Sequence, residues 1–216
     1  MPKFNIHLAV KLLDEAIREM KIPYLSKPHV KCDPFRTLIA CILSLRTKDK
    51  TTYAASERLF AHADTPLLML KLGEKKIAKL IYPVGFYNQK SKQIINICKT
   101  LLEKYDGKVP NKIDELLKFN GVGRKTANLV VTEAFNKPGI CVDTHVHRIS
   151  NRWGYIKTKT PDETELILRK KLPEKYWINF NRLLVTYGQN LCLPLSPKCS
   201  QCKISSMCKK IGVKKK

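Results

Sequence analysis

Four cysteines near the C-terminal end of the sequence restrict the fold more than any other feature. Cys192, Cys199, Cys202 and Cys208 are spaced C-x6-C-x2-C-x5-C, so one short loop must bring four thiolates to a common centre. Four sulfur ligands suit zinc or an iron–sulfur cluster. Only one pair has the Cys-x-x-Cys spacing that a zinc knuckle usually supplies twice, which favours a [4Fe–4S] cluster. A zinc site and a pair of disulfides are the alternatives.

The charge of the chain indicates the class of partner. The sequence has 41 Lys and Arg against 18 Asp and Glu, a formal net charge of +23. An excess of this size attracts a polyanion over about a Debye length or more. Nucleic acid is therefore the expected partner, while an anionic membrane surface or simple solubility would also account for a basic chain.

Apolar runs in the sequence are short. None approaches the roughly 20 residues that span a bilayer. The first 20 residues have a helical pattern that includes acidic residues, and they lack the small-residue cleavage site of a signal peptide. We therefore expect an intracellular protein that does not bind membranes, and in such a compartment thiols stay reduced. The other four cysteines lie among apolar residues and are expected to be core residues: Cys32, Cys41, Cys98 and Cys141.

Helical periodicity runs through almost the whole sequence. Asp33-Pro34 and Thr160-Pro161 each place a capping side chain before a proline at the first helical position. Glu163 follows Thr160 by three residues, as in a capping box. No segment alternates long enough to predict a strand. The sequence therefore predicts an all-α fold.

A Gly-x-Gly turn lies between two of the predicted helices. Gly121-Val122-Gly123 follows an apolar run and precedes Arg124-Lys125-Thr126 at the start of the next helix. The N–H groups in such a turn and in the first helical turn have no intrahelical acceptor, so they can converge on an anion. This pattern is typical of a helix-hairpin-helix, which binds the DNA backbone and reads no sequence.

Lys125 and Asp143 are the candidate catalytic residues. Lys125 lies in the first turn of a helix beside Arg124, where the helix dipole and the neighbouring charge favour its neutral amine. A neutral amine can attack carbon and form a Schiff base, although a simple phosphate contact is the competing interpretation. Asp143, in Val142-Asp143-Thr144, caps the predicted helix and can also act as a base or an electrostatic partner.

These motifs together resemble the endonuclease III family of DNA glycosylases. The resemblance rests on LLKFNGVGRKTAN, VDTHVHR and the cysteine loop in this order, and it extends through PFRTLIACILSLRTKDK and LIYPVGFYNQKSKQI. It implies an all-α protein of two lobes with a DNA cleft between them. One lobe would be a six-helix barrel over 27–136, with the helix-hairpin-helix at about 112–132. The other would join 1–26 to 137–216 and hold the [4Fe–4S] cluster through its four cysteines.

The resemblance also implies an activity. Members of the family remove oxidised pyrimidines such as thymine glycol from duplex DNA and then cut the abasic strand by β-elimination. Lys125 would be the nucleophile and Asp143 the activating acid. Gly121, Val122, Gly123, Arg124 and Thr126 would bind DNA. The chain would act as a monomer, and a prokaryotic cytoplasm, at the nucleoid, is the expected location.

Three further residues receive DNA-binding roles from the resemblance. Phe86 takes the place of the apolar wedge, with core packing as the alternative. Arg46 stands where well-studied bacterial members carry glutamine, so the opposite-base preference and the lesion range are expected to differ; a surface arginine in a salt bridge with Asp49 is the alternative. Lys198, in the cysteine loop, would contact phosphate.

Two other functions compete with a bifunctional glycosylase. One is a monofunctional glycosylase acting on uracil or thymine opposite guanine, or on adenine opposite oxidised guanine; Lys125 argues against it. The other is a non-catalytic helix-hairpin-helix module, which the presence of both Lys125 and Asp143 makes improbable.

Overall fold

A computed structural model describes residues 4–20 and 33–213 of the chain. Every regular element in these two stretches is helical, and none is a strand, so the all-α prediction is confirmed. In chain order the α-helices are α1 (Ile6–Ile17), α2 (Pro34–Ser44), α3 (Asp49–Phe60), α4 (Pro66–Leu72), α5 (Glu74–Ile81), α6 (Tyr87–Tyr105), α7 (Ile113–Leu116), α8 (Arg124–Phe135), α9 (Thr144–Arg152), α10 (Pro161–Lys171) and α11 (Trp177–Asn190). Short 3-10 turns lie at Glu174–Tyr176 and Cys199–Gln201.

The helix starts follow from local side-chain caps. Asp33 Oδ1 accepts the N–H groups of Phe35 and Arg36 at 2.8 and 3.0 Å, and Pro34 occupies the first position of α2. Thr160 Oγ1 accepts the N–H of Glu163 at 3.2 Å in the same way.

The capping box predicted at Thr160 differs in one bond. Glu163 Oε2 accepts the N–H of Lys159 at 2.8 Å, one residue before the cap, and thereby also fixes the chain that enters α10. The helix start is where the sequence predicts it, while the reciprocal bond is shifted.

Residues 33–137 form one compact unit, here called the central unit. It contains six helices of seven residues or more and the single turn α7. Helix α2 is the centre of its core, since eight of its eleven residues are buried, and it packs against α3, α6 and α8. Each fully buried aliphatic side chain contributes about 1.5–3 kcal/mol, so α2 fixes the positions of the helices around it.

Residues 4–20 and 138–213 form the second unit, here called the flanking unit. Its core joins α1 to α9, α10 and α11 around Trp153, Phe180 and Tyr187. Phe4 stacks on Trp153 with ring centroids 5.3 Å apart. The N-terminal helix is thereby part of a core built mainly from the C-terminal third of the sequence.

The two-lobe fold class is confirmed, and the individual domain limits stay predictions. The predicted 26/27 limit lies outside the described residues, as does Cys32. The first helix of the predicted helix-hairpin-helix is shorter than expected, because α7 ends at Leu116 and the chain continues in tighter turns.

Candidate functional site

A tight turn joins α7 to α8 in the central unit. Lys118 N–H bonds to the carbonyl of Glu115, and Phe119 N–H to that of Leu116, both at 3.2 Å. Val122 N–H then donates to the carbonyl of Phe119 at 3.0 Å. Phe119 and Val122 are buried, so two apolar anchors hold the turn on the core and its glycines remain at the surface.

Gly121 is a position where the fold requires glycine. Its φ of 75° lies in the left-handed region, and a Cβ there would lie 2.3 Å from Nε2 of Gln93. That amide donates to the carbonyl of Asn120 at 3.1 Å, which ties the turn to α6. Gly123 differs, because its φ is −89° and a Cβ would meet nothing within 4 Å.

The first turn of α8 is the candidate anion site. Its N-cap is Gly123, which has no side chain to cap the helix. The first intrahelical bond is from Ala127 N–H to the carbonyl of Gly123, at 2.9 Å. The preceding N–H groups of Arg124, Lys125 and Thr126 therefore have no acceptor within the helix. A phosphate oxygen matches these donors and the positive end of the dipole.

The predicted DNA-binding residues of the hairpin fall into two groups. Gly121, Gly123, Arg124 and Lys125 are exposed, whereas only 5% of Val122 and 4% of Thr126 is accessible. The side chains of Val122 and Thr126 pack inward, so any DNA contact of theirs would use the main chain.

Asp143 begins α9 in the flanking unit. Its Oδ1 accepts the N–H groups of His145 and Val146, both at 2.9 Å. Asp143 is therefore the N-cap that the sequence predicts. Both bonds use the same oxygen, so the cap does not engage Oδ2. Lys125 belongs to the central unit and Asp143 to the flanking unit.

Arg148 connects the helix of Asp143 to the cysteine loop, a link that sequence reasoning missed. Its Nη2 donates to the carbonyl of Cys192 at 2.8 Å and lies 3.1 Å from Nδ1 of His145. Gly188 in α11 permits this arrangement, because a Cβ there would lie 2.3 Å from Nδ1 of His145. Burial lowers the pKa of Arg148.

The four predicted ligand cysteines line one cavity of the flanking unit, with about 330 Å³ of empty space including its mouth. They are Cys192, which is buried, and Cys199, Cys202 and Cys208, which are partly exposed. Among the described residues, no three His, Cys, Asp or Glu side chains are grouped as a site for a single metal ion. The geometry brings the four thiols around a shared space.

Hydrogen-bond donors surround the cysteine sulfurs. Arg152 Nη1 lies 3.3 Å from the sulfur of Cys192 and 2.9 Å from the carbonyl of Leu193. The hydroxyl of Tyr187 lies 3.1 Å from the sulfur of Cys202. Donors to sulfur stabilise thiolate ligands, so these two contacts favour anionic sulfur at Cys192 and Cys202, while burial raises the pKa of the Cys192 and Cys208 thiols. Lys198, in the same loop, is exposed.

Arg46 and Phe86 come together at the surface of the central unit. The guanidinium carbon of Arg46 lies 5.0 Å from the centroid of the Phe86 ring, and 52% of Phe86 is accessible. An apolar ring exposed to this extent is not core packing. Both residues have positive φ, 54° for Arg46 and 59° for Phe86.

Lys90 beneath this pair is a residue that sequence reasoning missed. Only 5% of it is accessible, and its ammonium donates to the main-chain carbonyls of Leu43 and Leu45. The available signal was helical spacing, since Lys90 continues the buried stripe of Ile94 and Ile97 along α6.

Two buried cysteines of the central unit behave as core residues. Burial raises the pKa of the Cys41 thiol and of the Cys98 thiol to about 12. Both are protonated at neutral pH, so neither is a thiolate nucleophile. Cys141 is buried in the flanking unit.

No helix among the described residues is long and apolar enough to cross a membrane.

Residues 39–174 match the model of the HhH-GPD superfamily base excision DNA repair proteins. Endonuclease III of Thermotoga maritima is 45% identical over 197 residues, which cover 91% of this chain and 92% of that protein.

Two solved structures have closely similar folds. A trapped endonuclease III–DNA covalent intermediate, an estranged-adenine complex, superposes with a TM-score of 0.86 at 32% identity and 97% coverage of both chains. A thermostable thymine-DNA glycosylase superposes with a TM-score of 0.82 at 25% identity and 94% coverage of both chains.

Proposed function

The chain belongs to the HhH-GPD superfamily of base excision DNA repair proteins, and on that premise we propose which damage it removes and which residues act. Its similarity to endonuclease III along nearly the whole length makes it a DNA glycosylase with an associated lyase activity at abasic sites. The substrates that we propose are oxidised pyrimidines in duplex DNA, with thymine glycol as the representative lesion.

The observation that carries this proposal is the position of Lys125. It is an exposed lysine, second in α8, directly after a glycine turn whose N–H groups suit a phosphate. DNA backbone held at that turn would lie beside the lysine amine. A solved relative trapped as a covalent DNA intermediate is consistent with an amine nucleophile.

The proposed reaction has two linked steps. The neutral amine of Lys125 attacks C1′ of the flipped nucleotide, and the damaged base leaves with the bonding electrons of the glycosidic bond. The nitrogen then loses one proton, O4′ gains one, and the C1′–O4′ bond breaks, which opens the sugar ring and leaves a protonated imine at C1′. This imine acidifies the C2′ hydrogens. Loss of one C2′ proton to a base expels the 3′-phosphate by β-elimination, and water then hydrolyses the imine to release Lys125.

Asp143 is the proposed acid–base partner in these steps. A carboxylate near the sugar stabilises the positive charge that develops as the base leaves, and it can relay protons. Its Oδ2 is not engaged by the cap of α9, so one oxygen can hold the helix while the other serves the reaction.

DNA binding without sequence preference is the proposed role of the hairpin. The N–H groups at the start of α8 and the exposed Arg124 would hold phosphates, and the main chain of Gly121 to Gly123 would approach the backbone closely. Lys198 would add a phosphate contact from the cysteine loop. The net charge of +23 supports binding that weakens steeply with salt.

The Arg46 and Phe86 side chains are proposed to occupy the space that the flipped nucleotide leaves. An apolar ring can enter the base stack and hold the kinked duplex open. A guanidinium can donate to the orphaned base opposite, and it binds guanine bidentately. We therefore expect a preference for lesions opposite guanine.

The cysteine cavity is proposed to hold a [4Fe–4S] cluster. Cys192, Cys199, Cys202 and Cys208 would supply the four thiolates. Only one of the cysteine pairs has the Cys-x-x-Cys spacing that a zinc knuckle usually supplies twice, which favours the cluster over a single zinc ion. When bound, the cluster supplies structural cross-linking of the loop that carries Lys198, and β-elimination needs no electron from it.

The proposal is tested with a set of end-labelled duplexes. Three of them place thymine glycol, uracil or thymine opposite guanine, and the fourth places adenine opposite oxidised guanine. The purified chain should release thymine glycol and cut the strand with a 3′-unsaturated aldehyde end. A monofunctional mismatch glycosylase is the second candidate, favoured by the similarity to a thymine-DNA glycosylase. Release of a mismatched base without strand cleavage would support it, and binding without base release would leave only an architectural role.

We also propose that the chain acts as a monomer at the prokaryotic nucleoid. A flipped nucleotide can be held by one protein chain, and the chromosome is the substrate. The similarity to a bacterial endonuclease III supports this location.

A further inference from the structure

Two neighbouring residues at the surface of the central unit hold an unfavourable backbone conformation. Arg46 and Phe86 both have φ in the left-handed region, at 54° and 59°. This region is unfavourable for a residue with a side chain, and such a conformation persists only where the surroundings impose it. The two residues are adjacent, with the Arg46 guanidinium over the Phe86 ring.

Lys90 bonds to the segments that carry both residues. Its ammonium donates to the carbonyl of Leu43 at 2.9 Å, to the carbonyl of Leu45, and to Thr47 Oγ1 at 3.3 Å. Its main-chain N–H donates to the carbonyl of Phe86 at 2.9 Å. The Lys90 side chain therefore fixes the chain on both sides of Arg46, and the main-chain bond to Phe86 belongs to the first turn of α6.

Thr47 and Gly85 join the two segments directly. Gly85 N–H donates to Thr47 Oγ1 at 3.2 Å, and Thr47 Oγ1 donates to the carbonyl of Leu45 at 3.2 Å. A Cβ on Gly85 would lie 2.8 Å from the carbonyl oxygen of Arg46. This contact requires glycine, so the two segments are fitted to each other at the level of the main chain.

Burying the Lys90 ammonium costs free energy, and the hydrogen bonds to the oxygens of Leu43, Leu45 and Thr47 offset that cost. The acceptors of the ammonium named above are all neutral, and burying an ammonium without such partners is strongly unfavourable. Burial lowers the pKa of Lys90 to about 8. At neutral pH the group is mainly an ammonium, whose three N–H donors match its three acceptors.

We propose that Lys90 is a positioning residue that holds Arg46 and Phe86 as a preassembled pair, ready to enter the space beside the orphaned base. This inference rests on the proposed function, because it gives the pair its substrate. Preassembly lowers the cost of ordering two side chains when DNA binds. Lys90 itself does not touch DNA.

Single-turnover cleavage of a duplex with thymine glycol opposite guanine tests this role. The variants are Lys90→Met, which keeps the length of the side chain and removes its donors, Arg46→Ala, and the double variant. Lys92→Met is the matched control, since Lys92 is an exposed lysine of the same helix. We expect Lys90→Met to slow cleavage at least about tenfold, as loss of hydrogen bonds from a charged donor would, and Lys92→Met to match the wild type.

The double variant separates positioning from general destabilisation. If Lys90 acts through Arg46, the double variant should be no slower than the slower single variant. Multiplied rate losses would contradict the inference. Thr47→Val serves if Lys90→Met fails to fold, because it removes the shared oxygen and keeps the side-chain shape. It should slow cleavage in the same non-additive way, and wild-type rates in Thr47→Val would overturn the inference.

The fluorescence of a base analogue opposite the lesion reports on how the pair enters the DNA. A substitution that only destabilised the fold would leave this signal unchanged in the folded protein. With 2-aminopurine opposite the lesion, the wild-type chain should change its fluorescence on binding, and Lys90→Met should reduce that change as Arg46→Ala does. If the wild-type chain neither cleaves nor alters the fluorescence, the proposed function fails. If the wild type is active and Lys90→Met equals Lys92→Met, only the role of Lys90 fails.

Discussion

Replacing Gly121 by alanine is expected to destabilise the hairpin through two separate effects. The left-handed φ of 75° at this position costs an alanine about 1–2 kcal/mol. The new Cβ would also lie 2.3 Å from Gln93 Nε2. The glutamine end is flexible and can rotate away, but it would then lose its bond to the carbonyl of Asn120, at about 0.5–1.5 kcal/mol.

The two effects together amount to about 1.5–3.5 kcal/mol, which corresponds to roughly 3–14 °C in melting temperature for a chain of this size. Gly123→Ala is the matched control in the same turn. Its φ of −89° suits alanine and its Cβ would meet nothing within 4 Å. Alanine is a poorer N-cap than glycine, which lowers the stability, but it also reduces the conformational entropy of the unfolded chain, which raises the stability. The two contributions should cancel to within about 0.5 kcal/mol.

Thermal and urea unfolding of the two variants beside the wild type measure these differences. Gly123→Ala should instead weaken binding to duplex DNA, because its methyl group enters the space where a phosphate is proposed to lie. Equal stability of the two variants would refute the reasoning about Gly121. Unchanged DNA affinity of Gly123→Ala would refute the placement of the phosphate.

Three further predictions concern other parts of the chain. Asp143→Asn should keep the stability to within about 0.5 kcal/mol, because Asn caps a helix as well as Asp, and should slow single-turnover cleavage by about 10²–10⁴-fold; an unchanged rate would exclude Asp143 from the reaction. Cys199→Ser should lower the iron content from about four per chain, while Cys98→Ser, in the core of the other unit, should retain it; equal iron in both would contradict the ligand assignment. The pKa of Lys90, lowered to about 8 by burial, means that the folded state binds fewer protons there than the unfolded state between about pH 8 and 10.4, so the stability of the wild type relative to Lys90→Met should rise with pH across that window. Urea unfolding at several pH values measures it, and a constant difference would contradict the lowered pKa.

The helices were predictable where local chemistry decides them. Asp33-Pro34 and Thr160-Pro161 marked two helix starts correctly. The same signal at Thr65-Pro66 begins α4, although the seven residues of this helix are too few to develop a clear apolar stripe.

The links between distant segments were not predictable from sequence. Arg148 bonding to the cysteine loop and Lys90 bonding to the segment of Arg46 each join residues more than 40 positions apart. Helical spacing places Lys90 on the buried stripe of α6, but a single sequence does not identify the distant segment to which such a side chain bonds. The cysteine spacing predicted that four thiols lie together, and they line one cavity, because the ligands of a metal site can be close in sequence as well as in space; the cluster itself stays a prediction.

Trapping of the reaction intermediate with borohydride tests the central claim most directly. The chain would be incubated with a thymine glycol duplex and borohydride, and the cross-linked peptide identified by mass spectrometry, for the wild type, Lys125→Ala and the control Lys118→Ala from the same hairpin. The account predicts a covalent adduct on Lys125 that is absent from Lys125→Ala and retained in Lys118→Ala. An adduct on another residue, or an undiminished adduct in Lys125→Ala, would contradict it.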